Sequence, residues 1–499
     1  MLRAGSAEVF TTLTERHGGL TGVAGAFADM DGHKPKIGLL LLSAEWFQQI
    51  GATQGSFAHL SGFIESDALR IRSTMEPHFQ IIGGEVLVSR QQVVETVRHF
   101  LLEEVEGVVV CNITWGEDRL LIDAVEHLKG TPLLLWCYTP FERLPESMNM
   151  NDLLRSSGAV GAVQASAPLK RLGLNPIFTV GSCSSKRAIA DILCFGRAAK
   201  VIRDLKSLRI GVLPYRCDQM TGTYVDEFRL KKELGPELAY ISVNEYKEAC
   251  DEISTAQLLD FITYLRNEYQ VRQDIRDLDL SRSARASLGL AAIAAQRGLG
   301  ALAVQDVAPE LHRVIGLRPC LVRPGLAEDF VVSMEADVCG AISLWVLRAF
   351  TGHPAMYSEI FTFDENDNSV LIGHAGFHDI QLANSSSEIY IEPDGEYLET
   401  EPEACWMRFR VKPGPVTLLS IFCDVEKFKL VFAEGESISG GPKLLGPPYT
   451  CVRLKRPVGD FLENCLRTGM TQHWGLVHGD VINEVVALGR LLDLQTVSV

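Results

Sequence analysis

The chain has 499 residues, 46% hydrophobic and 22% charged, with 63 Asp and Glu against 47 Lys and Arg. That length suits about three globular domains, and the composition excludes a disordered or fibrous chain. A formal charge of −16 argues against nucleic acid or an anionic membrane as the principal partner.

The first residues, MLRAGSAEVFTTLTERHGG, hold no uninterrupted apolar stretch, so no secretory leader is expected. The longest apolar run, IGLLLL at 37–42, is too short to span a bilayer. Twelve cysteines are scattered without a CxxC pair, several inside segments such as VVVCNI and LLLWCY. That is the pattern of buried thiols in a reducing compartment, and a cytoplasmic protein is expected.

From Lys36 the chain alternates short apolar runs with amphipathic stretches. KIGLLLL, EGVVVCNI, TPLLLWCY, GAVGAVQA and NPIFTVG read as strands, and RQQVVETVRHFLLEEV as a helix. Runs so continuously apolar suit a parallel sheet covered on both faces. A second series follows in LRIGVLPY, ELAYISV and GALAVQDV, with helices near 255–267 and 283–298. The α/β pattern predicts two Rossmann-like domains, 36–205 and 206–325, after an N-terminal extension 1–35. DFVVSM then reads as a strand leading into the helical ADVCGAISLWVLRAF. Beyond it strands dominate: SEIYIEP, CWMRFRVK, PVTLLSIFCD and FKLVFAEGES, before a last helix in DVINEVVALGRLLDL. Residues 326–499 are expected to form a β-rich C-terminal domain containing a small antiparallel β-barrel.

Two stretches imitate nucleotide motifs without their spacing. GGLTGVAG (18–25) lacks the preceding strand of a dinucleotide fingerprint, and GSCSSKRAIADIL (181–193) lacks the Walker spacing. Ser182, Ser184 and Ser185 are read as caps of the helix after them. A dehydrogenase or a kinase therefore has no motif behind it.

The chemistry concentrates in the last third. Glu335 directly follows the strand FVVSM, and the carboxyl end of such a strand is where α/β proteins carry ligands. The stretch SEIFTFDENDNSVLIGHAGFH (358–378) reads as a hairpin. If Phe363 pairs with Val370 and Phe361 with Ile372, Glu359 falls opposite His374, with Cβ atoms about 5 Å apart. Such a pair can share a divalent ion or hydrogen-bond to itself. His378 has zinc-helix spacing from His374, but the local pattern is strand and turn, so it is given a structural role. His473 lies in TQHWGLVHGD, ahead of the final helix. Two carboxylates and two imidazoles form a mixed O/N set suited to Mn²⁺ or a similar ion.

SMEADV, MYSEIFTFDENDNSVLIGHAG and QHWGLVHGD, in that order, resemble the L-arabinose isomerase and L-fucose isomerase group of metal-dependent sugar isomerases. Weaker similarity covers LLLWCYTPFERLPESMNMNDLLRSSGAVGA and RIGVLPYRCDQMTGTYVDEFRLKKELG. The resemblance implies Glu335, Glu359, His374 and His473 as ligands of Mn²⁺ or another divalent cation. It implies interconversion of an open-chain aldose and ketose through an ene-diol, with Glu335 and Glu359 as proton carriers. It implies a homo-oligomer, trimer or hexamer, with sites at subunit interfaces and Asn151 and Arg155 contacting substrate. The chain departs from that pattern in a shorter hairpin carrying Asp364 and Glu365. Trp474 stands beside the distal His, as a substrate contact, where a small hydroxyl residue is expected. Arg155 replaces a substrate-touching His, and its fork of donors suits an anionic group or several hydroxyls. A deoxy, branched or acidic sugar would fit; a solvent-facing Arg is the other reading. A sugar-binding protein or a non-catalytic regulatory homologue is the alternative function, against which all four ligands are present.

Overall fold

The computed structural model describes residues 34–51, 57, 59–128, 130–308, 310–311, 320–394 and 404–499. Nearly all of the expected extension 1–35, with its GGLTGVAG stretch, lies outside the described residues. The chain forms a mixed α/β structure with two parallel sheets and a larger mixed sheet.

The first sheet contains β1 (Lys36–Leu42), β2 (Gln80–Leu87), β3 (Gly107–Asn112), β4 (Leu133–Tyr138) and β5 (Ile177–Gly181). The order is β2-β1-β3-β4-β5, every pair parallel. Side chains alternate across a strand, and here both sides are core. Leu39, Leu41, Val109 and Cys111 enter one buried cluster, while Leu40, Leu42, Val108 and Val110 enter another. That double burial is why these strands read as unbroken apolar runs.

One reading of this region needs correction, and one strand, β2, was not expected. GAVGAVQA is not a strand but the start of a helix, Gly158–Arg171. Its buried residues are Gly158, Gly161, Ala162, Ala165 and Leu169, which is helical spacing. A Cβ at Gly158 would stand 2.2 Å from the Asn112 carbonyl oxygen, so the glycine permits the helix to lie against β3. The strand β2 gives little apolar signal because Gly83 and Gly84, both at positive φ, and Glu85 interrupt it.

The second sheet contains β6 (Arg209–Leu213) and β7 (Glu237–Tyr240); the short β8 (Gln270–Val271) lies outside it. β9 (Ala301–Val304) and β10 (Val331–Met334) complete the parallel order β10-β9-β6-β7. The next strands are β11 (Ala355–Asp364), β12 (Ser369–Gly373), β13 (Tyr390–Pro393) and β14 (Cys405–Arg408), of which β13 pairs with both β14 and β8. Last come β15 (Gly414–Cys423), β16 (Phe428–Ile438), β17 (Tyr449–Leu454), β18 (His473–His478) and β19 (Gln495–Ser498). The large sheet runs β15-β18-β11-β12-β17-β16-β19, and β15 also pairs with β16, so six antiparallel strands pair in a ring.

The helix Val338–Thr351 joins this ring to the second sheet. It is apolar around most of its circumference and packs against β9, β10, β11, β15 and β18. A helix of that composition is stable only when enclosed. Its first turn therefore lies where β10, β11 and β18 meet.

Candidate metal centre

β10 ends at Met334, and the backbone then does something costly. Glu335 and Ala336 adopt φ of +60° and +54°, consecutive left-handed positions at non-glycine residues. Each costs on the order of 1 kcal/mol and persists only when its surroundings impose it. The Glu335 N–H donates to Asp306 Oδ1 at 2.9 Å, and the Ala336 N–H to the Val304 carbonyl at 3.0 Å. Asp337 then caps the helix, its Oδ1 accepting from the Gly340 N–H at 2.9 Å. The turn aims the Glu335 carboxylate at two imidazoles.

His374 follows β12. Its Nδ1 lies 2.6 Å from the Ala375 carbonyl, which leaves Nε2 facing Glu335 Oε1 at 3.7 Å. His378 is buried, its Nε2 bonded to the His374 carbonyl at 2.9 Å, and burial pushes its pKa down to about 3. It is a neutral brace for the loop. His473 opens β18, with Nδ1 donating to Asp337 Oδ2 at 2.9 Å and Nε2 2.9 Å from Glu335 Oε2. The Tyr357 ring lies 4.9 Å from that of His374 and 4.7 Å from that of His473, centroid to centroid. Its hydroxyl is 3.2 Å from the Met334 carbonyl and 3.3 Å from Asp337 Oδ2.

One ligand atom from each of Glu335, His374 and His473 falls within 4.8 Å of the others. Despite their closeness, Glu335 Oε2 and His473 Nε2 make no hydrogen bond; both atoms are buried and lack one. Buried polar atoms are rarely left so, and two that point at one small volume suit a cation. Burial opposes the charge on Glu335, but the two imidazoles outweigh it and hold its pKa at about 2. Burial likewise opposes the charge on His473, and Asp337 with Glu335 raises its pKa to about 9.

Glu359 is placed differently from expectation. A bulge at Phe361 shifts the β11–β12 register, so Ile360 pairs with Ile372 and Glu359 with Gly373, not His374. Across the other edge Glu359 pairs directly with His473. It therefore shares the sheet face of His473 and Tyr357, although its carboxylate is not among the three converging ligand atoms. Trp474, one residue along β18, points the opposite way. It is 2% exposed and its ring packs on Phe461 at 5.6 Å, so it is a core residue without access to a substrate.

Asn151 and Arg155 lie on the helix Met150–Arg155, beside the carboxyl end of the first sheet. Within the chain the Arg155 fork grips Asp67, with Nε and one Nη each 2.7 Å from a carboxylate oxygen. The guanidinium also stacks over Phe63 and Phe141. Asn151 is buried.

The sequence reading missed Asp306, Asp337 and Tyr357. Asp337 had a signal, an Asp at the head of a helical run. Asp306 follows β9 much as Glu335 follows β10, at the strand ends where sites gather.

No family model matches the sequence. The chain is 25% identical over 423 residues to a sulfoquinovose isomerase of Priestia aryabhattai, covering 82% of this chain and 91% of that protein. It is 23% identical over 399 residues to a sulfoquinovose isomerase of Alkalicoccus urumqiensis, covering 79% and 86%. Over 317 residues it is 24% identical to an L-arabinose isomerase of Mycolicibacterium smegmatis, covering 61% of each. Among solved structures, a periplasmic solute binding protein of Actinobacillus succinogenes with bound D-allose gives a TM-score of only 0.16 at 14% identity, covering 56% of this chain and 81% of that one. The curated relatives are isomerases, and similarity over most of the chain supports an enzyme of the sugar isomerase kind rather than a binding module.

Proposed function

We propose that the protein is a metal-dependent aldose–ketose isomerase acting on an open-chain sugar through an ene-diol. The observation that carries the reading is the pair Glu335 Oε2 and His473 Nε2, buried 2.9 Å apart with no hydrogen bond and His374 beside them. The donor set, carboxylate oxygen and imidazole nitrogen, suits Mn²⁺ or a similar divalent ion. Glu335, His374 and His473 would hold it, and Glu359, on the same face beside His473, is the fourth candidate. Bound there, such an ion supplies Lewis-acid stabilisation of enediolate charge.

The residues of the chain do the proton work. Isomerisation removes a proton from C2 of the aldose and returns one to C1, while a hydroxyl proton moves from O2 to O1. Glu335, at the end of β10, is one carrier. Glu359, half-buried on β11, is the second carrier. One of the two moves the proton between the carbons and the other helps to shuttle the hydroxyl proton. In the same reading the two parallel sheets are Rossmann-like domains and the strand ring is a small barrel.

The relatives' names suggest a substrate with an anionic substituent, sulfoquinovose being the first to test. The protein is proposed to be cytoplasmic, in keeping with its twelve free cysteines; among the described residues no helix is long and apolar enough to cross a membrane. A homo-oligomer, trimer or hexamer, would complete its sites with Asn151 and Arg155 of a neighbour. Exposed Met150, Leu153, Val160 and Val163 near those residues are apolar surface that a second copy would cover. The test is an assay of metal-stripped protein on a panel including sulfoquinovose and L-arabinose, with and without Mn²⁺. Conversion of one sugar to its ketose, only with metal, supports the proposal; no conversion of any aldose with metal restored contradicts it.

A further inference from the structure

Asp337 uses its two oxygens for different tasks. Oδ1 accepts the Gly340 N–H and caps the helix, and a cap needs no more than that. Oδ2 instead faces the site, 2.9 Å from His473 Nδ1 and 3.3 Å from the Tyr357 hydroxyl. The residue is 1% exposed, so bulk solvent does not screen these oxygens. Room for the arrangement comes from Gly340, where a Cβ would stand 2.5 Å from Oδ2 and 2.6 Å from the Tyr357 ring. Because the cap fixes the carboxylate to the helix, and the helix packs against strands of both sheets, the acceptor for Nδ1 is anchored to a buried element.

We propose that Asp337 is a positioning residue for the metal centre: its Oδ2 fixes His473 with the proton on Nδ1, so that the Nε2 lone pair is aimed at the Glu335 carboxylate and made more basic. The proposal rests on the metal-centre reading above and adds to it the residue that orients a ligand. A carboxylate behind an imidazole ligand sets ring rotation and tautomer together, and losing one lowers metal affinity about 10- to 100-fold. No group on Asp337 touches the metal in this account; it acts through His473.

The experiment measures Mn²⁺ affinity of the metal-stripped full chain, by electron paramagnetic resonance of free Mn²⁺, alongside its melting temperature. Asp337→Asn and Asp337→Ser both retain helix-capping side chains. Either should weaken Mn²⁺ binding 10- to 100-fold while the metal-free melting temperature moves little. Wild-type affinity in either folded variant overturns the proposal, and so does a lower melting temperature without any loss of affinity, which marks a helix cap alone. Glu335→Gln in the same titration separates the two readings. If it binds Mn²⁺ as the wild type does, the metal centre itself is misplaced; if it loses binding while Asp337→Asn retains it, only the positioning role falls. The unaltered protein gives a check that needs no Asp337 variant. In ¹⁵N-histidine spectra with a diamagnetic divalent ion bound, the signal lost in His473→Gln should carry its proton on Nδ1; a proton on Nε2 overturns the proposal.

Discussion

Asp67 and Glu335 are both acids drawn out of water, and the fold treats them in opposite ways. Asp67 sits on a helix of the first sheet with both oxygens engaged: Arg155 takes one on each prong, and Arg70 adds a third bond at 3.0 Å. Arg70 in turn bonds the Tyr138 hydroxyl and the Pro140 carbonyl. Neither oxygen of Asp67 is left over. Glu335 sits on a strained turn, faces one imidazole at 3.7 Å, and meets another at 2.9 Å without a hydrogen bond. A saturated polar network rigidifies a fold, whereas an unsaturated one in a buried place stores binding capacity. The difference separates structural acid from functional acid better than burial does.

The comparison can be broken most decisively at Glu335. Glu335→Gln should lower kcat about a thousandfold, as expected for removing a proton carrier that is also a ligand. Steady-state assay beside metal analysis checks it, and undiminished turnover would mean that the wrong carboxylate has been chosen. Asp67→Ala should do the reverse. Leaving a half-buried guanidinium without its partner should cost about 3 kcal/mol of stability, read by denaturant unfolding, with Mn²⁺ affinity unchanged. A loss of metal from Asp67→Ala would erase the contrast.

A third effect is pH dependence. Metal uptake must displace the His473 proton, which is held to about 9. Apparent Mn²⁺ affinity should therefore rise about tenfold per pH unit below that value and level off above it. In the metal-free protein the sign reverses. The proton on His473 contributes stability fully below its ordinary value of 6.5, and that contribution is lost as pH rises through about 9. Calorimetric titrations at pH 6, 7 and 8 read the first trend; a flat profile would show that His473 is not a ligand. The smallest expected effect is at Ala336. Ala336→Gly relieves one left-handed position and should raise stability by no more than about 1 kcal/mol, with the metal affinity kept.

Much of this arrangement was legible in the residues themselves. Continuous apolar runs such as KIGLLLL marked the strands of the first sheet because both faces are buried, and Glu335 stood out because it follows a strand directly. The register of the hairpin was not legible: one inserted residue, Phe361, moves Glu359 from His374 to Gly373, and no local composition announces that bulge. The fate of Trp474 was hidden too, since TQHWG was assigned to no element and nothing put its adjacent side chains on the opposite faces that a strand gives them. GAVGAVQA failed for a third reason. Small residues that let a helix lie on a strand have the same composition as a weak strand, and only their 3–4 spacing distinguishes them. Arg155 was singled out because it stands where the resembling family has a substrate-touching His, but its partner Asp67 is 88 positions away and had no signature of its own.

The central claim, that Glu335, His374 and His473 form one metal site per chain, is tested most directly by counting. Metal-stripped protein titrated with Mn²⁺ in an isothermal calorimeter should take up one ion per chain, and Glu335→Gln, His374→Gln and His473→Gln should each abolish that binding while remaining folded. Saturable binding that survives all three substitutions would contradict the account.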